Sequence, residues 1–314
     1  MTLVIAIRGW EPEPWLEEFQ AQMPGRDIVL AGQEVDPASV RYAAVWKPKP
    51  GLLARYPNLR VIFSLGAGVD HVFLDPALPD VPVVRVVDPD LTARMSEWVL
   101  LHVLLHHRQQ RMYDWQQGER IWADDRFQPA ARSVRVGVMG LGELGADAAE
   151  KLRIMGFEMA GWARTLKTLP GIASYAGTEG LPAFLARTDI LVCLLPLTPE
   201  TRGILNADLL RQLPRDGRLG GPILLNAGRG GLQVEADILA CLEEGSLKAA
   251  TLDVFEIEPL PESSPLWHHP AMTITPHNAA ASEPEAIVEG VAEQIEAFER
   301  GEGLVNVVGR GRRN

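Results

Sequence analysis

The sequence predicts an α/β fold built from two doubly wound parallel-sheet domains. Three observations carry that reading. Short apolar runs alternate with helical periods along most of the chain, the pattern of βα units that bring parallel strands side by side. The alternation comes as two series, separated by one long stretch at 92–108 that is apolar on one face. A glycine triplet, Gly140-x-Gly142-x-x-Gly145, stands at the head of the second series, and 314 residues leave room for two domains of ordinary size.

In the first series, 3–7, 43–46 and 60–64 read as strands, with helices at 15–23 and 51–56 between them. The stretch 92–108, opened by Thr92 as a candidate cap, reads as a helix crossing from one domain to the other. The polar segment 109–133, with Trp115 and Trp122, is too long for a simple connection. It reads as a subunit-contact or lid segment, or else as an exposed irregular loop. Strands follow at 134–139, 158–162, 190–195, 222–226, 249–253 and 272–275, with helices at 143–155 and 234–244. A last helical period covers 283–300, and the basic tail GRGRRN is expected to fray.

Thirty basic residues against 41 acidic ones give a net charge of −11, which disfavours nucleic acid and acidic membranes as partners. No apolar run approaches the roughly 20 residues that span a bilayer. The opening MTLVIAIRGW lacks a basic n-region, so it reads as a first strand and not as a signal peptide. Cys193 and Cys241 both sit in apolar patterns and read as core thiols of a reducing compartment, and the expected location is the cytoplasm. No metal site is predicted.

The glycine triplet follows an apolar strand and opens a helix. The first glycine permits the tight turn, the second lets a pyrophosphate approach the backbone, and the third lets helix and strand pack closely. The helix N-terminus then offers unpaired N–H groups and a positive dipole end. About 20 residues on, where an NAD site usually carries an acid, the chain reads Ala163-Arg164-Thr165-Leu166-Lys167. Two cations beside a ribose suit a 2′-phosphate, so NADPH is the expected cofactor, with NADH as a second possibility.

Three further strand ends carry unusual polar residues: Asn226-Ala227-Gly228-Arg229-Gly230, Asp253 to Pro259 with Glu256 and Glu258, and Thr275-Pro276-His277-Asn278. Each alone has an ordinary surface reading. Together, in one sheet behind a phosphate loop, they point to a site at the carboxyl ends of the strands.

These motifs carry a family likeness. FSLGAGVDH (63–71), GVMGLGELG (137–145), LLPLTPETRGIL (194–205), LNAGRG (225–230), LDVFEIEPLP (252–261), SPLWHHP (264–270) and TPHNAA (275–280) resemble the D-2-hydroxyacid dehydrogenases over essentially the whole chain, closest to the branch of bacterial glyoxylate/hydroxypyruvate reductases. The resemblance implies a Rossmann cofactor domain (94–283) inserted in a flavodoxin-like substrate domain (1–93 and 284–314), with the active site in a cleft between them.

It also implies a catalytic set of Arg229, Glu258 and His277. The family's acid directly precedes proline, which selects Glu258 over Glu256. His277 would give a proton to the developing alkoxide while the nicotinamide gives hydride. Glu258 would hold the imidazole and favour its protonated form, and Arg229 would bind the substrate carboxylate and polarise the carbonyl. Leu65, Gly66 and Ala67 would line the carboxylate site, with Trp46 limiting side-chain size and Lys47 adding positive potential. Cofactor contacts implied by position are Gly140, Leu141, Gly142, Glu143, Leu144 and Gly145 at the pyrophosphate. They continue with Arg164, Thr165 and Lys167 at the ribose phosphate, and Leu195, Pro196 and Thr201 on the adenosine side. Ala227, Gly228, Arg229, Asp253, His277 and Ala279 complete them toward the nicotinamide. Leu166 departs from the branch, which has a second arginine there. The expected function is NADPH-dependent reduction of a small 2-keto acid, glyoxylate or hydroxypyruvate, by a homodimer. Dehydrogenation of another 2-hydroxy acid and nucleotide sensing by a corepressor-like protein are the alternatives.

Overall fold

A computed structural model describes residues 1–126, 128–281 and 283–309. The tail expected to fray lies outside the described residues from 310 onward. The described chain forms two compact units, 1–91 with 281–314, and 92–280.

The chain opens with β1 (Thr2–Ile7), α1 (Glu13–Gln22), β2 (Asp27–Leu30), β3 (Val40–Trp46), β4 (Val61–Ser64), the short α2 (Asp70–Phe73) and β5 (Val83–Val84). Then come α3 (Pro89–His107), α4 (Gln110–Glu119), β6 (Arg135–Met139), α5 (Glu143–Ile154), β7 (Glu158–Ala163), β8 (Ala173–Ala176), α6 (Gly177–Leu185) and β9 (Ile190–Cys193). The rest is α7 (Ala207–Leu210), β10 (Ile223–Asn226), α8 (Glu235–Glu243), β11 (Ala249–Leu252), β12 (Met272–Ile274), α9 (Pro284–Glu299) and β13 (Val307–Val308).

In the first unit the strand order is β13-β5-β4-β3-β1-β2, parallel except for β13. The five parallel strands thus run 2-1-3-4-5, the flavodoxin-like order. Leu3 and Ile5 of β1 face α1 and α9 through Trp15, Phe19, Val288 and Val291. Val4 and Ala6 face the other way, onto Leu53, Tyr56 and Val72. Both faces are covered, which explains why β1 reads as a continuous apolar run.

The second unit has the order β12-β11-β10-β9-β6-β7-β8, all parallel. This is the dinucleotide-fold order with one strand added, and the switch point lies between β6 and β9. Residues of α3 and α5 pack on one face, and residues of α6, α7 and α8 on the other. Cys193 and Cys241 are buried and unpaired, and burial pushes the Cys193 thiol up to about 12.

Three expectations need correction. The crossing helix begins at Pro89, so Thr92 lies inside it, and the buried Asp88 carboxylate accepts from the Leu91 N–H at 2.8 Å. Proline suits a first helical turn, where its missing N–H costs nothing. The helix expected at 51–56 shrinks to a single 3₁₀ turn, Leu53–Arg55. Segment 109–133 is not an irregular loop throughout. Gln109, at φ 54, ends α3 and starts α4. The strands β2, β5, β8 and β13, not expected from the sequence, are two to four residues long and lie at or near a sheet edge.

Candidate active site

The glycine loop between β6 and α5 assigns a separate job to each glycine. Gly140 sits at φ +102, where a side chain is strained, and a Cβ there would come within 2.7 Å of the Leu194 carbonyl oxygen. A Cβ on Gly145 would overlap the Gly140 carbonyl oxygen, so only glycine lets α5 lie this close to β6. Gly142, the N-cap residue of α5, has open space around its Cα. Apart from its chain neighbours, no atom of the described residues lies within 4 Å of a Cβ built on Gly142, which leaves room for a pyrophosphate to approach the backbone at the N-terminus of this 12-residue helix. Leu141 is buried, whereas Glu143 is exposed and Leu144 half-buried.

Beyond β7 the chain turns outward. Arg164, Thr165, Leu166 and Lys167 are all exposed, and the Arg164 and Lys167 side chains make no ion pair among the described residues. The Lys167 N–H donates to the Ser174 hydroxyl at 3.0 Å, which fixes this turn against β8. No carboxylate stands at the end of β7 to accept from a ribose 2′-hydroxyl, and two uncommitted cations do.

On the far side of the switch point, Leu195 is buried and Pro196 half-buried. The Thr201 hydroxyl donates to the Pro196 carbonyl at 2.7 Å and accepts from the Thr198 N–H at 2.8 Å, closing that loop on itself.

The adjacent strands β10, β11 and β12 bring three polar loops to one sheet edge. Arg229 is half-buried, and its guanidinium donates to the Gly228 carbonyl at 2.7 Å. Glu258 and His277 are brought together: His277 Nδ1 lies 2.8 Å from Glu258 Oε2, with the side chains 30% and 26% exposed. The other carboxylate oxygen accepts from the Phe255 N–H at 3.2 Å. That contact leaves His277 Nε2 as the ring atom available for chemistry. The Glu258–Pro259 peptide is cis. His277 holds a left-handed backbone at φ 53, unusual for a residue with a side chain and concentrated at functional sites.

Asp253 explains how that conformation is held. It is 1% exposed, and its Oδ1 accepts from the Thr275 hydroxyl at 2.5 Å and from the Asn278 N–H at 3.0 Å. Its Oδ2 accepts from the Ala279 N–H at 3.1 Å, while its carbonyl accepts from the His277 N–H at 2.8 Å. Thr275 in turn receives the Trp98 indole N–H at 3.1 Å. A buried carboxylate with three donors on it costs little and locks a loop.

Sequence reasoning missed a second buttress. Asn226 and Gln233 are fully buried and bonded to each other at 2.8 Å. Asn226 Oδ1 accepts from the Gly228 N–H at 3.0 Å, and Gln233 donates to the Val254 carbonyl at 2.8 Å, so the pair ties the Arg229 loop to the Asp253 loop. The available signal was two amides set among apolar residues. Ala227, Gly228 and Ala279 are buried beside them.

In the first unit, the predicted carboxylate turn follows β4. Leu65 is fully buried, Gly66 buried and Ala67 half-buried. A Cβ on Gly66 would fall 2.5 Å from the Trp46 ring, so Trp46 at the end of β3 lies directly against this turn. Lys47 has φ 45 and reaches back over the Trp46 ring, with Nζ 5.8 Å from its centroid.

Residues 99–279, more than half of the chain, match the family profile described as D-isomer specific 2-hydroxyacid dehydrogenase, NAD binding domain. The chain belongs to this dehydrogenase family. It is 39% identical over 319 aligned positions to glyoxylate/hydroxypyruvate reductase A of Yersinia enterocolitica, covering 98% of this dehydrogenase-family chain and 99% of that protein. Among solved structures, the NADPH-dependent glyoxylate/hydroxypyruvate reductase of Sinorhizobium meliloti, in complex with NADP and sulfate, is 49% identical. The match covers 100% of this chain and 99% of the other, with a TM-score of 0.95. A probable 2-hydroxyacid dehydrogenase from Rhizobium etli, in complex with NADP, HEPES and L(+)-tartaric acid, is 47% identical over the same shares, with a TM-score of 0.93.

Proposed function

We propose that this dehydrogenase reduces a small 2-keto acid, glyoxylate or hydroxypyruvate, with NADPH. The observation that carries the reading is the Glu258–His277 pair at 2.8 Å, held at the carboxyl end of the sheet whose switch point carries the open glycine cradle. The NADP complexes of the two similar structures support the choice of cofactor.

In this reading, unit 92–280 is the cofactor domain and unit 1–91 with 281–314 the substrate domain. The loop from Gly140 to Gly145 and the first turn of α5 hold the pyrophosphate, and Arg164, Thr165 and Lys167 hold the ribose phosphate. The nucleotide supplies a hydride when bound. Leu195, Pro196 and Thr201 flank its adenosine side, and Ala227, Gly228 and Ala279 line its nicotinamide side. Arg229 binds the substrate carboxylate and draws electron density toward the carbonyl oxygen. In the substrate domain, the turn 65–67 would supply backbone donors for a carboxylate, and Lys47 would add positive potential. His277 Nε2 gives its proton to the carbonyl oxygen as the carbon accepts hydride. Glu258 stays ionised and steadies the imidazolium before that transfer. Asp253 keeps the His277 loop in place and would act on the nicotinamide side through that loop.

A homodimer fits the same molecule. Helix α4 buries no residue in this chain, and a ten-residue helix in water is marginal by itself. Within it Trp115 is 59% exposed, and just beyond it Trp122 is wholly exposed. A second copy seated on these tryptophans would supply the missing cover. No helix among the described residues is long and apolar enough to cross a membrane, and the two buried thiols suit the cytoplasm.

The test is a steady-state panel of small 2-keto acids with NADPH and NADH, run beside His277→Ala. We expect glyoxylate or hydroxypyruvate turnover with NADPH, and a loss of about 10²–10⁴-fold in kcat in the variant with NADPH binding retained. Tight NADPH binding without turnover of any 2-keto acid would instead identify a nucleotide sensor.

A further inference from the structure

Trp46 is held from three sides. Trp10 stacks on its face, with ring centroids 4.4 Å apart and planes 11° from parallel. His71 meets it edge-on at 4.6 Å and 68°. Gly66 closes the third side, since any side chain there would strike the ring. Trp10 is itself stacked on the buried Trp15 at 5.8 Å, so the half-exposed Trp10 ring bridges two buried tryptophans, Trp15 and Trp46. The backbone joins the same row, because the Arg8 N–H donates to the Trp46 carbonyl at 3.0 Å.

His71 is the hub on the other side. Its Nδ1 accepts from the Lys47 N–H at 3.2 Å, which holds Lys47 in its left-handed conformation. Its Nε2 lies 3.5 Å from the Ser64 hydroxyl. That hydroxyl, fully buried, reaches the carbonyls of Gly66 at 3.0 Å and Gly68 at 2.9 Å. One imidazole therefore connects the Trp46 ring, the Lys47 backbone and the turn 64–68.

We propose that Trp10 and His71 clamp Trp46 and Lys47 against the turn 65–67 and so set the size limit on the 2-keto acid. Trp10 is a specificity-determining residue and His71 a positioning residue. A ring free to swing would admit a bulky 2-substituent; a ring wedged between Trp10, His71 and Gly66 keeps the space to the smallest 2-keto acids. Holding the backbone of Lys47 and of 64–68 in one geometry also fixes where the substrate carboxylate is received. The proposal rests on the reading of Trp46, Lys47 and 65–67 as substrate residues given above.

The experiment uses the full-length protein with NADPH and compares glyoxylate with phenylpyruvate. Trp10→Ala should lower the kcat/KM preference for glyoxylate about tenfold, the scale on which a change in pocket size acts. His71→Leu should raise the glyoxylate KM about tenfold with kcat within about threefold of wild type. His71→Asn should restore the KM to within about threefold, because its amide oxygen stands where Nδ1 accepts. The thermal unfolding midpoint of each variant reports folding, and Trp10→Leu replaces Trp10→Ala if that midpoint collapses. An unchanged preference in both Trp10 variants, or equal KM values for His71→Leu and His71→Asn, would overturn the proposal. Failure of the wild type to turn over any 2-keto acid would instead remove the reading beneath it, and the clamp with it.

Discussion

Replacing Glu258 by glutamine isolates one charge. Glutamine has the same shape, yet it offers a single accepting oxygen where Glu258 uses two, one for His277 Nδ1 at 2.8 Å and one for the Phe255 N–H at 3.2 Å. Whichever way the amide turns, its NH₂ faces another donor. The lost interaction is a hydrogen bond between ionised groups, worth about 1.5–3 kcal/mol. At about 1.4 kcal/mol per factor of ten, that is a loss of about 10- to 150-fold in kcat. The pair keeps 26% and 30% of its side-chain surface exposed, so solvent screening favours the lower half of that range. The assay is the fall in reduced-nicotinamide absorbance at saturating glyoxylate, followed across about two pH units below and above neutrality. The NADPH Kd should stay at the wild-type value. A kcat within about threefold of wild type at neutral pH, or a loss confined to KM, would refute the role given to Glu258.

The glycine loop yields a paired prediction. Gly145→Ala must push α5 off β6 and should lower Tm and weaken NADPH together, whereas Gly142→Ala, with open space around it, should weaken NADPH binding with Tm unchanged. The double variant Arg164→Ala with Lys167→Ala should lower kcat/KM for NADPH about tenfold or more while leaving NADH unchanged, and equal losses with both cofactors would remove the 2′-phosphate assignment. Acid should destabilise the fold through α3. Burial, aided by the nearby charges of His102, Arg111 and Lys248, lowers His106 from 6.5 to about 3, and burial also lowers His102 and His107. The unfolded chain therefore takes up these protons first. The stability that His106 contributes is complete above pH 6.5 and drains away as the pH falls toward about 3, by up to about 1.4 kcal/mol per pH unit, and His102 and His107 act in the same direction. Urea midpoints of wild type and His106→Gln, compared just above and below about pH 6, should converge as the pH falls; parallel curves would contradict this.

The parts of the site written in local sequence are legible from neighbours along the chain. The three glycines announce a turn, an open approach and a close contact because each is a demand on one residue's backbone or Cβ. The end of β7 shows cations where an acid is usual, again a matter of identity at one position. The motifs after β10, β11 and β12 could be placed at strand ends because an apolar run stops and polar residues begin. Less visible were elements whose partners are distant. β2 and β8 are short and half-exposed edge strands that owe their existence to the neighbour they pair with. The start of α3 lies at Pro89 because the Asp88 carboxylate accepts the Leu91 N–H.

By itself the sequence determined the two βα series, the dinucleotide loop and the identities of Arg229, Glu258 and His277, since strand periodicity and glycine geometry are rules about neighbours along the chain. Tertiary structure decided how those residues are held. The Asn226–Gln233 pair, the Trp98–Thr275–Asp253 chain and the wedge of Trp10, Trp46 and His71 each join residues far apart in sequence. No local rule selects such pairs, because a buried polar group or an aromatic face can be satisfied by any suitable partner that the folded chain happens to bring within reach.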